Sequence, residues 1–255
     1  MSQVHPIKRV TLYIVLISFV AIAIYGYFGI TKVEEVSVLD TGTETVPVNT
    51  KITYKTESVF QEEDSYVIDI KYPVVDGGAS ITALNSMNLS IFSEVEDIKN
   101  DFFGAVNNEE IFSDNKNTLL VLVNEVSETD QYANIALSAS VYQSGAAHPY
   151  SYIRVLNFEK QSGERVYLSD FFENGNPYLL DVSSIAITKL DVYFKEHEIT
   201  DWFKEGADPM IENYDNFFIR EVGIEFVFDP YQVAPYAFGD VRISILYSEL
   251  PNISV

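Results

Sequence analysis

The chain has 255 residues, 38 Asp and Glu against 16 Lys and Arg, a formal charge of −22, and no cysteine. The missing thiols exclude disulfides, thiolate catalysis, Cys-ligated zinc and iron–sulfur clusters, and so acidic a surface repels phosphate backbones, which excludes nucleic acid as a partner. With 47% hydrophobic and 14% aromatic residues, the bulk of the chain has the material for a packed core and is not disordered.

Residues 10–31 contain no charged side chain, and about 20 helical residues cross a hydrocarbon core of about 30 Å. The sequence thus predicts a cytoplasmic N-terminus over 1–9, a transmembrane helix over 10–31, a stalk over 32–50 and an extracytoplasmic domain over 51–255. Lys8 and Arg9 precede the apolar run and Glu34 and Glu35 follow it, which orients a single-pass protein of the cell membrane with its N-terminus inside. Tyr25, Tyr27 and Phe28 fit an interfacial belt. A signal peptide cut near Ala21-Ile22-Ala23 is the alternative, and it exports the domain equally. Lys8 and Arg9 are the only charges within 1–31, so the −22 of the whole becomes −24 beyond them. The 32–50 segment has no helical period and reads as extended, although Val46 and Val48 also permit an edge strand.

Beyond the stalk, Ile68, Ile70 and Tyr72 alternate with Asp69 and Lys71, which predicts a half-buried strand over 66–72 ending at Pro73. Ser80 is placed to cap a helix over 80–103 whose stripe is Ile81, Leu84, Met87, Ile91, Val95, Ile98 and Phe102. Strands follow over 119–126 and 132–142, separated by a polar turn. The loop Gln143-Ser144-Gly145-Ala146-Ala147-His148-Pro149 leads to a further strand in which Tyr150, Tyr152, Arg154, Leu156 and Phe158 alternate. A second helix is predicted from Asn176 as cap and Pro177 as first residue, with Leu179, Val182, Ala186, Leu190 and Tyr193 on one face. Two last strands carry Ile224, Phe226 and Phe228, then Val241, Ile243, Ile245 and Tyr247. The expected fold is α+β, a mostly antiparallel sheet with two packed helices, preceded by one transmembrane helix.

Chemistry-bearing motifs are few. His148 and His197 lack the spacing of metal ligands, and neither a nucleophile elbow nor a phosphate-binding glycine loop is present, so neither cofactor nor metal is expected and no catalytic residue is assigned. His197 continues the stripe of the second helix and reads as structural. His148, in a loop between strands, is either presented for function or a turn residue bonded within its loop. Residues 229–239, Asp-Pro-Tyr-Gln-Val-Ala-Pro-Tyr-Ala-Phe-Gly, are either a rigid binding loop or a packed crossover.

Three segments carry a resemblance. They are Gly145-Ala146-Ala147-His148-Pro149 with its Tyr-rich strand, residues 160–172 (Lys-Gln-Ser-Gly-Glu-Arg-Val-Tyr-Leu-Ser-Asp-Phe-Phe), and Tyr231-Gln232-Val233-Ala234-Pro235-Tyr236-Ala237-Phe238-Gly239. In this order they resemble the RsiV-like domain of unknown function, over roughly residues 65–250. That domain forms the outer part of a lysozyme-binding anti-sigma factor and precedes the catalytic domain of a class of peptidoglycan deacetylases. About nine residues precede the apolar run, which is short for holding a sigma factor, and no deacetylase segment follows the last strand; the expectation is the outer domain alone. The family's Gly-Gly-Ala-His-Pro appears with Ala146 in second place, a change in backbone freedom. The resemblance implies a membrane-anchored envelope module that recognises a lysozyme-like basic protein or a peptidoglycan component, with His148, Pro149, Tyr150, Tyr231, Pro235 and Tyr236 as contacts. The rival readings are an envelope hydrolase using His148 with a carboxylate, and a structural envelope protein without a discrete ligand.

Overall fold

The computed structural model describes residues 51–106, 115–173, 175–195 and 202–254. The predicted membrane helix, the stalk and His197 lie outside the described residues. Among the described residues, no helix is long and apolar enough to cross a membrane. The described residues belong to one compact unit.

Among the described residues, eight strands fall into two sheets. The first is ordered β1-β2-β3-β4-β5 and the second β6-β7-β8, with β1 Thr53–Glu62, β2 Tyr66–Gly77, β3 Asn117–Glu128, β4 Tyr132–Tyr142, β5 Tyr150–Glu159, β6 Phe217–Arg220, β7 Gly223–Phe228 and β8 Val241–Leu246. The long helices are α1, Ile81–Val106, between β2 and β3, and α2, Tyr178–Phe194, after β5; a short α3, Trp202–Gly206, follows. Every strand pair is antiparallel except β2 with β3, which α1 connects. The α+β class and the mostly antiparallel sheet agree with expectation. The single sheet does not, because a second one folds from the C-terminal part.

The layers follow from which faces are apolar. Met87, Ile91, Val95, Ile98 and Phe102 of α1 pack on Ile68, Ile70, Leu119, Val121, Ile135, Leu137 and Leu156 of the first sheet. Val182, Ala186, Leu190 and Phe194 of α2 pack on Phe217, Ile219, Ile224, Phe226, Phe228, Ile243 and Ile245 of the second. Between the sheets, Ala136, Ile153 and Val155 meet Phe218 and Val227. The order is therefore helix, sheet, sheet, helix, and each large side chain so buried contributes about 2 kcal/mol.

Local signals hold where they are strong. Ser80 Oγ accepts the Ala83 N–H at 3.2 Å and caps α1. Ile81, at the first helical position, is 78% exposed, and the buried residue of that turn is Ala83. Helix α2 starts one residue later than expected: Pro177 is its cap residue and makes no side-chain capping bond. Tyr193 is exposed and its neighbour Phe194 is buried, a rotation of the stripe by one residue.

Strand β2 runs through Pro73 to Gly77 instead of ending there. It pairs β3 only as far as Ile70, so Pro73 has β1 on one side and no ladder on the other, a place where a missing N–H is harmless. On that open side Asn88 of α1 acts in the manner of a strand, its Oδ1 accepting the Val75 N–H at 2.8 Å and its Nδ2 donating to the Val75 carbonyl at 2.9 Å.

The turn after β5 packs against α1 through Gly163. Its φ is +74°, and a Cβ there would collide with the Ala83 carbonyl oxygen. Gly163→Ala is expected to cost roughly 3 kcal/mol or more, left-handed strain and collision together. A urea titration reads it as a lowered midpoint, and an unchanged midpoint would show that the turn yields.

Candidate ligand-binding site

Two loops build the site. The β4–β5 loop is a seven-residue connection closed by Ala146 N–H to Gln143 O, 2.9 Å, and tied to the start of β3 by Ser144 N–H to Asn117 Oδ1, 2.8 Å. Gly145 takes φ +88°, a conformation that favours glycine. The residue that must be left-handed is thus retained, and Ala146 in place of a second glycine imposes no backbone cost.

The β7–β8 loop is pinned from beneath. Val233 and Ala234 are buried, Gln232 Nε2 donates to the carbonyls of Gly206 and Asn213 at 3.0 and 3.2 Å, and Pro235 opens a 3-10 turn over Tyr236–Phe238. The loop is both things its composition allowed: the Val-Ala step is a packed crossover, and the tyrosines on either side stand outward. Tyr231 is exposed and has φ +72°. A non-glycine residue there costs about 1 kcal/mol, and such strain concentrates at functional sites.

The loops meet at His148. Its ring stacks on Tyr236, centroids 4.6 Å apart and planes 28° apart, and lies 6.4 Å from Tyr231; the two tyrosines are 5.4 Å apart. Nδ1 lies 2.9 Å from the Pro149 carbonyl and Nε2 lies 3.4 Å from Tyr231 Oη. A carbonyl can only accept, so Nδ1 carries a proton, and in the neutral ring Nε2 is then the acceptor facing the phenol. Of the expected contacts, His148, Tyr231 and Tyr236 come together. Pro149 supplies the carbonyl that orients the ring, Pro235 is half-buried at the base of the turn, and Tyr150 faces a pocket beside the cluster.

That pocket has a volume of about 330 Å³. Its walls are Asp101, Phe102 and Ala105 of α1, Gln143, Ala146 and His148 of the loop, and Tyr150, Tyr152 and Arg154 of β5, with Val141 at the end of β4. The Arg154 guanidinium lies 4.4 Å from the Tyr152 ring centroid. It stands 3.7 Å from Glu94 and 3.9 Å from Asp229, both beyond hydrogen-bond distance. Burial holds the carboxyls of Asp229 and Glu94 above the ordinary carboxylate range despite this arginine, and burial pushes the Tyr152 phenol up to about 12. Asp101, Gln143, Tyr152 and Arg154 were not singled out as contacts from the sequence. Arg154 alone carried a signal, as the one charge among the inward positions of its strand.

Asp229 also blunts the edge of the first sheet: its Oδ1 accepts the Ile153 N–H at 2.8 Å. A carboxyl whose folded pKa is raised stabilises fully below its unfolded value, about 3.9, and that contribution is lost as pH rises through the folded value. Asp229→Asn keeps the acceptor without the buried charge. Relative to the parent it is expected to gain stability between pH 4 and pH 7, read from urea midpoints at the two pH values. A relative loss at pH 7 would show that attraction to Arg154 outweighs desolvation.

Comparison with known proteins places this architecture. Residues 169–248, which hold α2, the second sheet and the Tyr231–Tyr236 loop, match the family described as a protein of unknown function, DUF3298. The match does not reach the His148 loop. Part of the chain is also 33% identical, over 112 residues, to the peptidoglycan-N-acetylmuramic acid deacetylase PdaC of Bacillus subtilis; that stretch is 43% of this chain and 23% of the deacetylase. Crystal structures of DUF3298 family proteins from Bacteroides fragilis and from Pseudomonas aeruginosa each superpose with a TM-score of 0.50 at 14% identity, covering 81% of this chain and 95% of theirs. The fold is therefore shared well beyond the matched residues, and the resemblance to an RsiV-like, PdaC-associated domain of unknown function holds.

Proposed function

We propose that this chain is a membrane-anchored extracytoplasmic module that binds a glycan component of the cell wall. The observation that supports it most is the stacked His148–Tyr236–Tyr231 surface opening beside a pocket lined by both aromatic and hydrogen-bonding groups. Aromatic faces set against a few convergent polar groups suit the alternating C–H and hydroxyl surfaces of a sugar. The shared segment with a peptidoglycan-N-acetylmuramic acid deacetylase points to the same material.

The charge of −22 favours a second reading, a lysozyme-like basic protein drawn in by electrostatic steering. One experiment separates them. The full chain in detergent is incubated with insoluble peptidoglycan and, separately, titrated with lysozyme, at low and high salt. Retention on peptidoglycan that persists at high salt is the expected result. Binding of lysozyme alone, or retention that vanishes at moderate salt, overturns the glycan reading. The anchoring is tested by adding protease to intact cells: the module should be digested and an N-terminal tag spared, whereas a protected module refutes the orientation.

A further inference from the structure

We infer that the pocket beside His148 holds one N-acetylated, uncharged amino-sugar ring, a step that takes its ligand class from the wall-glycan reading above. Size is the first reason. Ligand pockets range from about 300 to 1,000 Å³, and this one, at about 330 Å³, takes a single small ring and not an extended chain.

Charge balance is the second reason, and it decides the class. Beside the His148 imidazole, the lining carries one carboxylate, Asp101, and one guanidinium, Arg154. A cationic ligand would meet the guanidinium, which already covers the Tyr152 face at 4.4 Å and closes it to a second cation. An anionic ligand would meet Asp101, with Glu94 and Asp229 standing behind Arg154 at 3.7 and 3.9 Å. A neutral ligand with donors and acceptors of its own incurs neither repulsion. Asp101 accepts, Arg154 donates and Gln143 does both, a set complementary to hydroxyls and to one amide.

The third reason concerns the amide's methyl group. Phe102 and Ala105 lie one helical turn apart on α1, and with Val141 and Ala146 they supply aliphatic and ring surface to the lining, two of these four side chains being a single methyl. This apolar part of the lining accommodates an acetyl methyl, while the exposed Tyr150 ring offers its face to the C–H side of the sugar. A hydroxyl at the same place would lose its hydrogen bonds to water without replacing them.

The test uses oligomers that differ in this one group. The full chain in detergent is titrated calorimetrically with the tetramer of N-acetylglucosamine and with the tetramer of glucose. The acetylated tetramer is expected to bind roughly ten-fold or more tightly. Ala105→Leu and Ala146→Leu fill the pocket from exposed positions, so both should fold, as circular dichroism will show, and each should weaken the acetylated tetramer by roughly ten-fold or more. Equal affinity for the two tetramers, or unchanged affinity in both leucine variants, overturns the inference. Retention on peptidoglycan with neither tetramer bound also overturns it and leaves the wall reading intact. Selective binding of the acetylated tetramer without retention upholds the pocket assignment and removes the wall reading.

Discussion

Tyr236→Ala is expected to weaken retention on wall glycan by about 2 kcal/mol, roughly thirty-fold. Its ring is the nearer of the two tyrosine rings to the His148 imidazole, with centroids 4.6 Å apart, so truncation removes a contact surface and the support of the neighbouring imidazole together. Aromatic anchors of this kind lose little conformational entropy on binding, which is why they dominate affinity. Tyr231 allows a cleaner separation of binding from folding. Tyr231→Gly relieves the left-handed backbone at φ +72°, and the greater freedom of glycine in the unfolded chain offsets that gain. Stability should therefore change by under about 1 kcal/mol while binding falls. Isothermal titration with soluble wall fragments gives the affinity and a urea titration gives the stability. If both variants bind as the parent does, the stacked surface is not the contact.

Asn134→Ala is expected to destabilise the fold by about 3 kcal/mol. The Asn134 side chain lies fully buried between the sheets. Its Oδ1 accepts the Ile219 N–H at 2.9 Å, and its Nδ2 donates to the Ile219 carbonyl at 3.1 Å. Strand β6 is an edge of the second sheet, so these groups face away from β7, and alanine would leave both buried and unpaired. Asn157 repeats the donating half alone, its Nδ2 bonding the Phe217 carbonyl at 2.9 Å, and Asn216 returns a bond by accepting the Val155 N–H at 3.1 Å. Farther along the same seam Glu125 bridges Arg220 and Arg242, each at 2.9 Å. Burial raises the Glu125 carboxyl, but the hydrogen bonds from the two arginines and the attraction of their charges together outweigh it and hold it below the usual range. The measurement is the urea midpoint with the slope checked for constancy. A loss under about 1 kcal/mol would mean that water replaces the asparagine and that the seam is wetter than its burial implies.

Both predictions rest on groupings that local pattern does not reveal. What the sequence by itself determined was whatever one element settles alone: the α1 stripe from Met87 to Phe102, the Ser80 cap, the alternation of β2, β4, β5, β7 and β8, and the presentation of His148 and Tyr231 on loops. Each is legible because burying one face of a helix or strand imposes a period on the residues that form it. Strand β1 left no such mark because nearly all of its residues are exposed on both faces, and β6 left none because it is four residues long and buried on both faces up to its last residue. Tertiary structure alone decided that β4 and β5 bury a second face, since Ala136, Ile153 and Val155 become core only when another sheet lies over them. It also decided the site. Tyr231 reaches His148 across 83 residues of chain, and Asp101 of α1 lines the same pocket as Arg154 of β5 only because α1 packs on the first sheet. Periodicity states that a face is covered. Which surface covers it depends on how the layers stack, and the layers bring these side chains together from elements whose own patterns carry no reference to one another.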